Sequence, residues 1–355
     1  MKRVYLDWNA TAPLRPEARA AMISALDVVG NPSSVHAEGR AAKAIIERAR
    51  AQVAAAVGAK PGEIVFTSGA TEAASVLAGI ADHSAIGVEE TAHDAIFAHI
   101  DLDGAAAGSN FLAMGLANSE TGVISDPPKK DEDGYSHDAF RARYLLLDVT
   151  QAIGRIPWSF AWSGADMAVM SAHKLGGPKG VGALILKDGF DISALQVGGG
   201  QEMGRRSGTE NVAGIAGFGA AAEAAMAELQ AGLWARVAEL RNILEKTLAE
   251  VSDRTIFIGK SSQRLPNTSC FATPGWKGET QVMRMDLAGY AVSAGSACSS
   301  GKVKESRVLR AMGFDEDVAR CAVRVSLGPQ NTEDEVMRFA DAWAAAYEKF
   351  RQRAA

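Results

Sequence analysis

Ser171-Ala172-His173-Lys174-Leu175-Gly176-Gly177-Pro178-Lys179-Gly180-Val181-Gly182 is the stretch on which the reading of this 355-residue chain turns. Ahead of it, Ala165-Asp166-Met167-Ala168-Val169-Met170 is a short apolar run of the kind that forms a buried strand. Behind it, clustered Gly and Pro call for a tight turn. Lys174 therefore stands where a buried strand ends, among small side chains. A lysine in that position is costly unless it is paired or chemically used. Desolvation lowers its pKa, and a neutral amine is a nucleophile able to form a Schiff base. On spacing alone, a surface lysine following a strand accounts for the pattern equally well.

Working outward, Val4-Tyr5-Leu6 reads as a strand and Pro16 to Val28 as a helix. Ala41, Ile45, Ala49, Val53 and Val57 recur every four residues and give one apolar helix stripe, ended by Gly58 and Pro61. Glu63 to Thr67 is a strand, followed by Ser68-Gly69-Ala70-Thr71-Glu72 and a helix to about Ala78. Strand, Gly turn and helix start together make an anion site; Thr71 alone serves equally as an N-cap. Ala85–Val88 and Phe111–Leu116 are further strands, with His93 between them. Residues 125–143 are polar and charged, and read as loop with a short helix. Tyr144–Leu147 is a buried strand ending in Asp148-Val149-Thr150-Gln151. A carboxylate at that end of a strand lies where open α/β sheets bind ligands, although a helix cap also explains Asp148.

Val181–Leu186 is the return strand. Gly198-Gly199-Gly200-Gln201-Glu202 and Arg205-Arg206-Ser207-Gly208-Thr209 form a loop, and Ala-rich helix runs from Val212 to Val251 with a break near Gly232. In the tail, strands at 255–258, 268–271 and 323–327 alternate with helices at 279–286, 306–312 and 332–351. The class is therefore α/β, with a mostly parallel sheet in a large domain and a smaller α+β domain.

Composition narrows the function. The chain is 47% hydrophobic with a net charge of −5, so it can bury a core and has no basic footprint for nucleic acid. No apolar run reaches the roughly 20 residues of a membrane span, and no signal-peptide core follows Met1. Three cysteines, without zinc spacing, fit a reducing cytoplasm. Cys270 and Cys321 sit in apolar surroundings and read as packed thiols. Cys298, in Gly295-Ser296-Ala297-Cys298-Ser299-Ser300-Gly301, has only small neighbours and reads as an accessible thiol.

These motifs in this order resemble the pyridoxal-phosphate (PLP) enzymes of aminotransferase class V, specifically the cysteine desulfurases of the NifS/IscS type. The resemblance runs from Tyr5-Leu6-Asp7-Trp8-Asn9-Ala10-Thr11 to Val325-Ser326-Leu327-Gly328. It includes Gly30-Asn31-Pro32-Ser33-Ser34-Val35-His36, Phe66–Glu72, the Ser171–Gly182 stretch, Gly198–Glu202, Arg206–Asn211 and Gly295–Cys298. The long segment after Cys298 resembles the NifS/IscS branch rather than the SufS branch. The resemblance implies fold type I, with a PLP-binding domain at 13–231 and a small domain formed by 1–12 and 232–355.

It also implies roles. Lys174 holds PLP and moves the substrate's Cα proton; Asp148 pairs with the pyridine nitrogen; Gln151 bonds the ring oxygen; His93 stacks on the ring. Ala70, Thr71, Ser171 and His173 hold the phosphate. Thr209 reaches a phosphate in a second subunit, which makes the protein a homodimer. Arg324 and Asn9 bind substrate, and Cys298 takes sulfur from L-cysteine as a persulfide, leaving alanine. A sulfur-acceptor protein, such as an Fe–S scaffold, then receives the sulfur.

Four departures from the family pattern stand out, one of them a short segment before His93. Ser119 replaces the second asparagine before Glu-Thr-Gly, near PLP. Ala92 replaces a glutamate before the stacking histidine. The span from His93 to Asn118 is about half the family length, so a strand–helix unit is missing. The alternative readings are a class V aminotransferase, a selenocysteine lyase, and a low-activity scaffold partner.

Overall fold

The computed structural model describes residues 3–78, 86–100, 109–137, 140–295 and 305–354. In chain order its strands are β1 (Val4–Tyr5), β2 (Ile64–Thr67), β3 (Ile86–Val88), β4 (Ser109–Gly115), β5 (Lys130–Asp131), β6 (Gly134–His137), β7 (Phe140–Asp148), β8 (Met167–Ser171), β9 (Gly182–Leu186), β10 (Ile256–Phe257), β11 (Thr268–Ala272), β12 (Tyr290–Ala291), β13 (Ser293–Ala294) and β14 (Ala322–Ser326). The helices are α1 (Pro16–Leu26), α2 (Ala37–Val57), α3 (Ala70–Ala74), α4 (Asp94–Phe97), α5 (Phe160–Ser163), α6 (Val212–Gln230), α7 (Leu233–Val251), α8 (Gly278–Leu287), α9 (Arg307–Ala311), α10 (Glu316–Cys321) and α11 (Glu333–Ala354). The chain forms two compact units: Thr11–Leu116 with Ser125–Gln230, and Met1–Ala10 with Ala117–Ile124 and Ala231–Ala355.

The larger unit is built on a mixed, mostly parallel sheet in the order β2-β9-β8-β7-β4-β3. Along this path only β9 runs against its neighbours, pairing antiparallel with both β2 and β8. The strands are apolar on both faces, as a sheet covered on both sides requires. In β2, Val65 joins the cluster containing Leu77, Ile96 and Val169, while the next residue, Phe66, meets Phe218 of α6 edge-on. α1 and α2 pack on α6. By length and composition α6 can cross a membrane, contrary to the reading that no apolar run approaches a membrane span. Its Gly214–Ala222 stretch is instead buried almost all round within the unit.

Two local readings need correction. The buried stripe of α2 is Ala42, Ile46, Ala49, Val53 and Val57, whereas Ala41 is exposed and Ile45 half-buried. A step of four overshoots the 3.6-residue turn by about 40°, so a strict four-spacing drifts off the buried face. The described residues of 125–143 contain no helix; β5 and β6 form a hairpin, and β6 pairs antiparallel with the beginning of β7. Tyr135 is buried there and donates its hydroxyl to Asp166, while Ala142 is buried between exposed Arg141 and Arg143. That is strand alternation within a charged stretch.

The smaller unit holds a four-stranded antiparallel sheet, β10-β11-β14-β13, and the parallel pair β1–β12. β11 alternates across it: Cys270 faces Leu309 and Val318, and Phe271 meets Trp343 of α11 edge-on.

Helix α2 also carries a buried charge. Arg50 grips Glu202 with both guanidinium nitrogens at 2.8 Å and donates to the Ile64 carbonyl; Glu202 also accepts from the Phe66 amide. Glu202 and Met203 both adopt left-handed backbone conformations (φ 49° and 59°), which costs about 1–3 kcal/mol per residue. The pair holds that strained turn against β2. Removing one partner leaves an uncompensated buried charge, so Arg50→Met is expected to cost about 3–5 kcal/mol in urea unfolding.

Candidate active site

Because β2, β8, β7, β4 and β3 share one direction, the segments that follow them all emerge at one edge of the sheet. Ala70 and Thr71 follow β2, His93 follows β3, Asp148 closes β7, and Ser171, His173 and Lys174 close β8 and the turn after it. The large unit thus gathers eight predicted site residues, Gln151 included, at that edge.

Each has a local cause. α3 starts at Ala70, so the amides of Ala70 and Thr71 have no intrahelical acceptor. Gly182 lets the chain approach closely: a Cβ there would lie 2.6 Å from the Gly69 Cα. A Cβ on Gly69 would in turn extend toward the Ser171 hydroxyl, 3.9 Å away. Asp148 accepts from the Thr150 amide at 2.9 Å, which fixes its carboxylate. Gln151 is buried and accepts from Arg155 at 2.6 Å, and Arg155 also holds the Lys174 carbonyl at 3.0 Å. Lys174 and His93 are half-buried. The Nδ1 of His93 accepts from the Ala95 amide at 3.1 Å and caps α4.

His173 lies 3.2 Å from Thr11 Oγ1 through its Nδ1. Burial, followed by the charges of Lys174 and Lys179, pushes its imidazole down to about 4. Glu72 links this edge to the glycine-rich loop. It accepts from the Ser68 amide at 2.7 Å and pairs with Arg206 at 2.8 Å. Burial alone would raise its carboxyl, but the bonds from Arg206 and Ser68 outweigh it and hold the group below its ordinary value. Thr209 is exposed and, with Thr67, Ser68 and Arg206, lines a cavity of about 120 Å³.

The smaller unit holds a second cluster. Arg324 is buried, pairs with Asp7 at 2.8 Å and donates to the Ser119 carbonyl at 3.0 Å; its Nε is buried without a partner. Asn9 donates to the same carbonyl at 3.1 Å and to Thr268 at 2.9 Å, and accepts from Asn267 at 3.0 Å. Ser119 thus takes part through its backbone oxygen. Asp7, Thr268 and Asn267 were missed as site residues, although Asp7 stands in the N-terminal motif two positions before Asn9. Cys298 lies outside the described residues.

The aminotransferase class-V family profile matches residues 4–134 and 102–339. A cysteine desulfurase of Frankia sp. (strain EuIK1) is 40% identical, covering 98% of this chain and 92% of its own. The chain belongs to the cysteine desulfurases of aminotransferase class V. The cysteine desulfurase IscS of Dictyoglomus turgidum is 35% identical, with coverage of 99% and 96%. Among solved structures, a NifS-like protein from Rickettsia africae matches with a TM-score of 0.84 at 30% identity, covering 98% of this chain and 99% of that one.

A cysteine desulfurase of this class works with pyridoxal 5′-phosphate, and the residues at the sheet edge fit that group. Unclaimed helix amides and the space over Gly69, bounded by the Ser171 hydroxyl, suit a phosphate. The Thr150 hydroxyl is buried without a partner two residues beyond Asp148, so this end of β7 has polar capacity to spare. A fixed carboxylate suits a protonated pyridine.

The two described thiols are poor nucleophiles. Burial pushes Cys270 well above the ordinary thiol range, and burial and Asp317 push Cys321 up to about 11. In the native protein at pH 8, iodoacetamide is expected to leave Cys270 and Cys321 unmodified on peptide mapping and to label both after denaturation. For the cofactor-free protein the sign of the His173 effect follows from linkage. Between the ordinary histidine value of 6.5 and about 4 the unfolded chain takes up a proton that the folded chain refuses, so stability falls as pH drops through that window. His173→Gln should flatten that slope in urea titrations.

Proposed function

We propose that this cysteine desulfurase transfers sulfur from L-cysteine to Cys298, giving a persulfide and L-alanine, and hands the sulfur to an acceptor protein such as an Fe–S cluster scaffold. The observation that carries the reading is the single sheet edge at which Lys174, Asp148, His93 and the helix start at Ala70 converge. In this reading Lys174 is the covalent anchor of the cofactor. Ala70, Thr71, Ser171 and His173 hold the phosphate, Asp148 and Gln151 hold the ring, and His93 lies on its face, with Ser119 nearby. When bound, pyridoxal phosphate supplies an electron sink that weakens bonds around the substrate's α-carbon.

The chain supplies binding and proton transfer. Arg324, with Asn9, orients the substrate carboxylate; the partnerless Nε–H of Arg324 supports this. Lys174 Nζ takes the proton from the substrate's Cα. Cys298 reacts as the thiolate, because only that form is nucleophilic. Its Sγ bonds to the substrate sulfur, the substrate's C–S bond breaks, and the β-carbon gains a proton. The sum is one thiol and one cysteine converted to one persulfide and one alanine.

A homodimer is part of the proposal. Val35 is 88% and Val197 93% exposed, each in a segment next to the contact between Gln201 and Ser33, and the exposed Thr209 belongs to the same glycine-rich loop. Such a surface suits a second copy of the chain. Cys270 and Cys321, buried and unbridged, support a reducing, cytoplasmic setting.

The test is alanine release and persulfide mass on single variants. Cys298→Ala should keep the cofactor's visible absorbance and bind cysteine, but form no persulfide and release almost no alanine. Cys270→Ala and Cys321→Ala should lose some stability and keep turnover. Wild-type turnover by Cys298→Ala, or a persulfide mapped to Cys270 or Cys321, would sink the assignment.

A further inference from the structure

Glu120 has a task that none of the roles above covers. It lies in the loop Asn118-Ser119-Glu120-Thr121-Gly122, which belongs to the smaller unit. The Asn118 side chain organises this loop by accepting from the Glu120 and Thr121 amides, both at 2.9 Å. Gly122, in the left-handed region at φ 74°, closes it against Thr268. The Glu120 side chain is turned inward and is only 6% exposed. Its Oε2 accepts from the Ser306 hydroxyl at 2.8 Å. Ser306 is itself buried and caps α9 by accepting from the Leu309 amide at 3.1 Å. The other carboxylate oxygen lies against Gly295 so closely that a Cβ there would come within 2.7 Å of it.

Gly295 and Ser306 are the last described residue before, and the second after, the segment that carries Cys298. One buried carboxylate thus touches both ends of that segment. The residue before it, Ser119, offers its carbonyl to Arg324 and Asn9. Two consecutive residues therefore connect the proposed substrate-carboxylate group to both roots of the nucleophile's segment.

We propose that Glu120 is a positioning residue for sulfur transfer: it fixes the roots of the Cys298 segment relative to Arg324. The proposal rests on the reading of Cys298 as the nucleophile. A group that acts only by position leaves binding intact and slows the step whose geometry it sets. Glu120→Ala should lower single-turnover alanine formation about tenfold or more, with cofactor absorbance and cysteine affinity unchanged. Glu120→Gln keeps an oxygen for the Ser306 hydroxyl and should recover most of the rate. In the cofactor-free protein, alkylation of Cys298 by iodoacetamide should be no slower in Glu120→Ala than in wild type, since the thiol is unaltered.

A wild-type single-turnover rate in Glu120→Ala overturns the proposal. So does a loss of rate matched by an equal loss of bound cofactor or of cysteine affinity, which marks a structural role only. If Glu120→Ala does not fold, Ser306→Gly and Ser306→Thr probe the other end of the bond. Glycine is tolerated as the cap of α9 but offers Glu120 no donor, whereas threonine supplies both cap and donor. Ser306→Gly should be slow and Ser306→Thr near wild type, and equal rates overturn the proposal. Failure of the underlying reading looks different, because Cys298→Ala would then release alanine normally whatever Glu120 does.

Discussion

Parallel strands cannot be joined by a tight turn, and the site depends on that constraint. Each crossover returns the chain to the same starting edge, so the opposite edge collects every segment that leaves a strand. Residues 68–71, 89–93, 148–151 and 172–174 meet there although about half of the large unit separates the first from the last in sequence. β9 is the exception that tightens the arrangement. It turns straight back after Lys174, through Gly176 and Gly180 at φ 89° and 77°, and its first residue, Gly182, lies against Gly69. A side chain at Gly182 would push Gly69, and with it the helix start at Ala70, away from β8.

The smaller unit follows another rule. It buries charge and then shares it. Arg324 is neutralised by Asp7, which also accepts from Ser293, and a single carbonyl, that of Ser119, receives both Arg324 and Asn9. A buried guanidinium is tolerable only when most of its donors are occupied, so the one left over at Nε carries the most chemical meaning. Arg264 and Glu245, each 5% exposed, form a second buried pair, in which both terminal guanidinium nitrogens bond the carboxylate.

Much of this was legible in the sequence because the signals are local. The strand before Ser171, the glycine turn after Thr67 and the carboxylate ending the Tyr144–Leu147 run each fit within a dozen residues, and the order of motifs did the rest. What escaped depends on partners distant in the chain. Glu202 is recognisable as the end of a glycine-rich run, but nothing near it announces Arg50, 152 positions away. Ser119 was read as a side-chain replacement, whereas the structure uses its carbonyl, which every residue possesses. The hairpin at 130–137 escaped because its charges masked the alternation of Tyr135 and Ala142. Glu120 opens the Glu-Thr-Gly motif that follows Ser119, yet its contacts lie at Gly295 and Ser306, at a separation that spacing cannot measure.

The hairpin has a consequence of its own. β7 contains Tyr144-Leu145-Leu146-Leu147, an uncharged run of the kind that recruits identical chains when its backbone is exposed. β4 occupies one side of β7, while the other side is divided between β6, along its first residues, and β8, along its last. Beyond β6, among the described residues, lies only β5, two exposed residues of opposite charge, Lys130 and Asp131. A border so short and so charged is a poor template for an incoming strand. The polar stretch that reads as loop with a short helix in the sequence thus ends this side of the sheet, over the first residues of β7, in a short charged border.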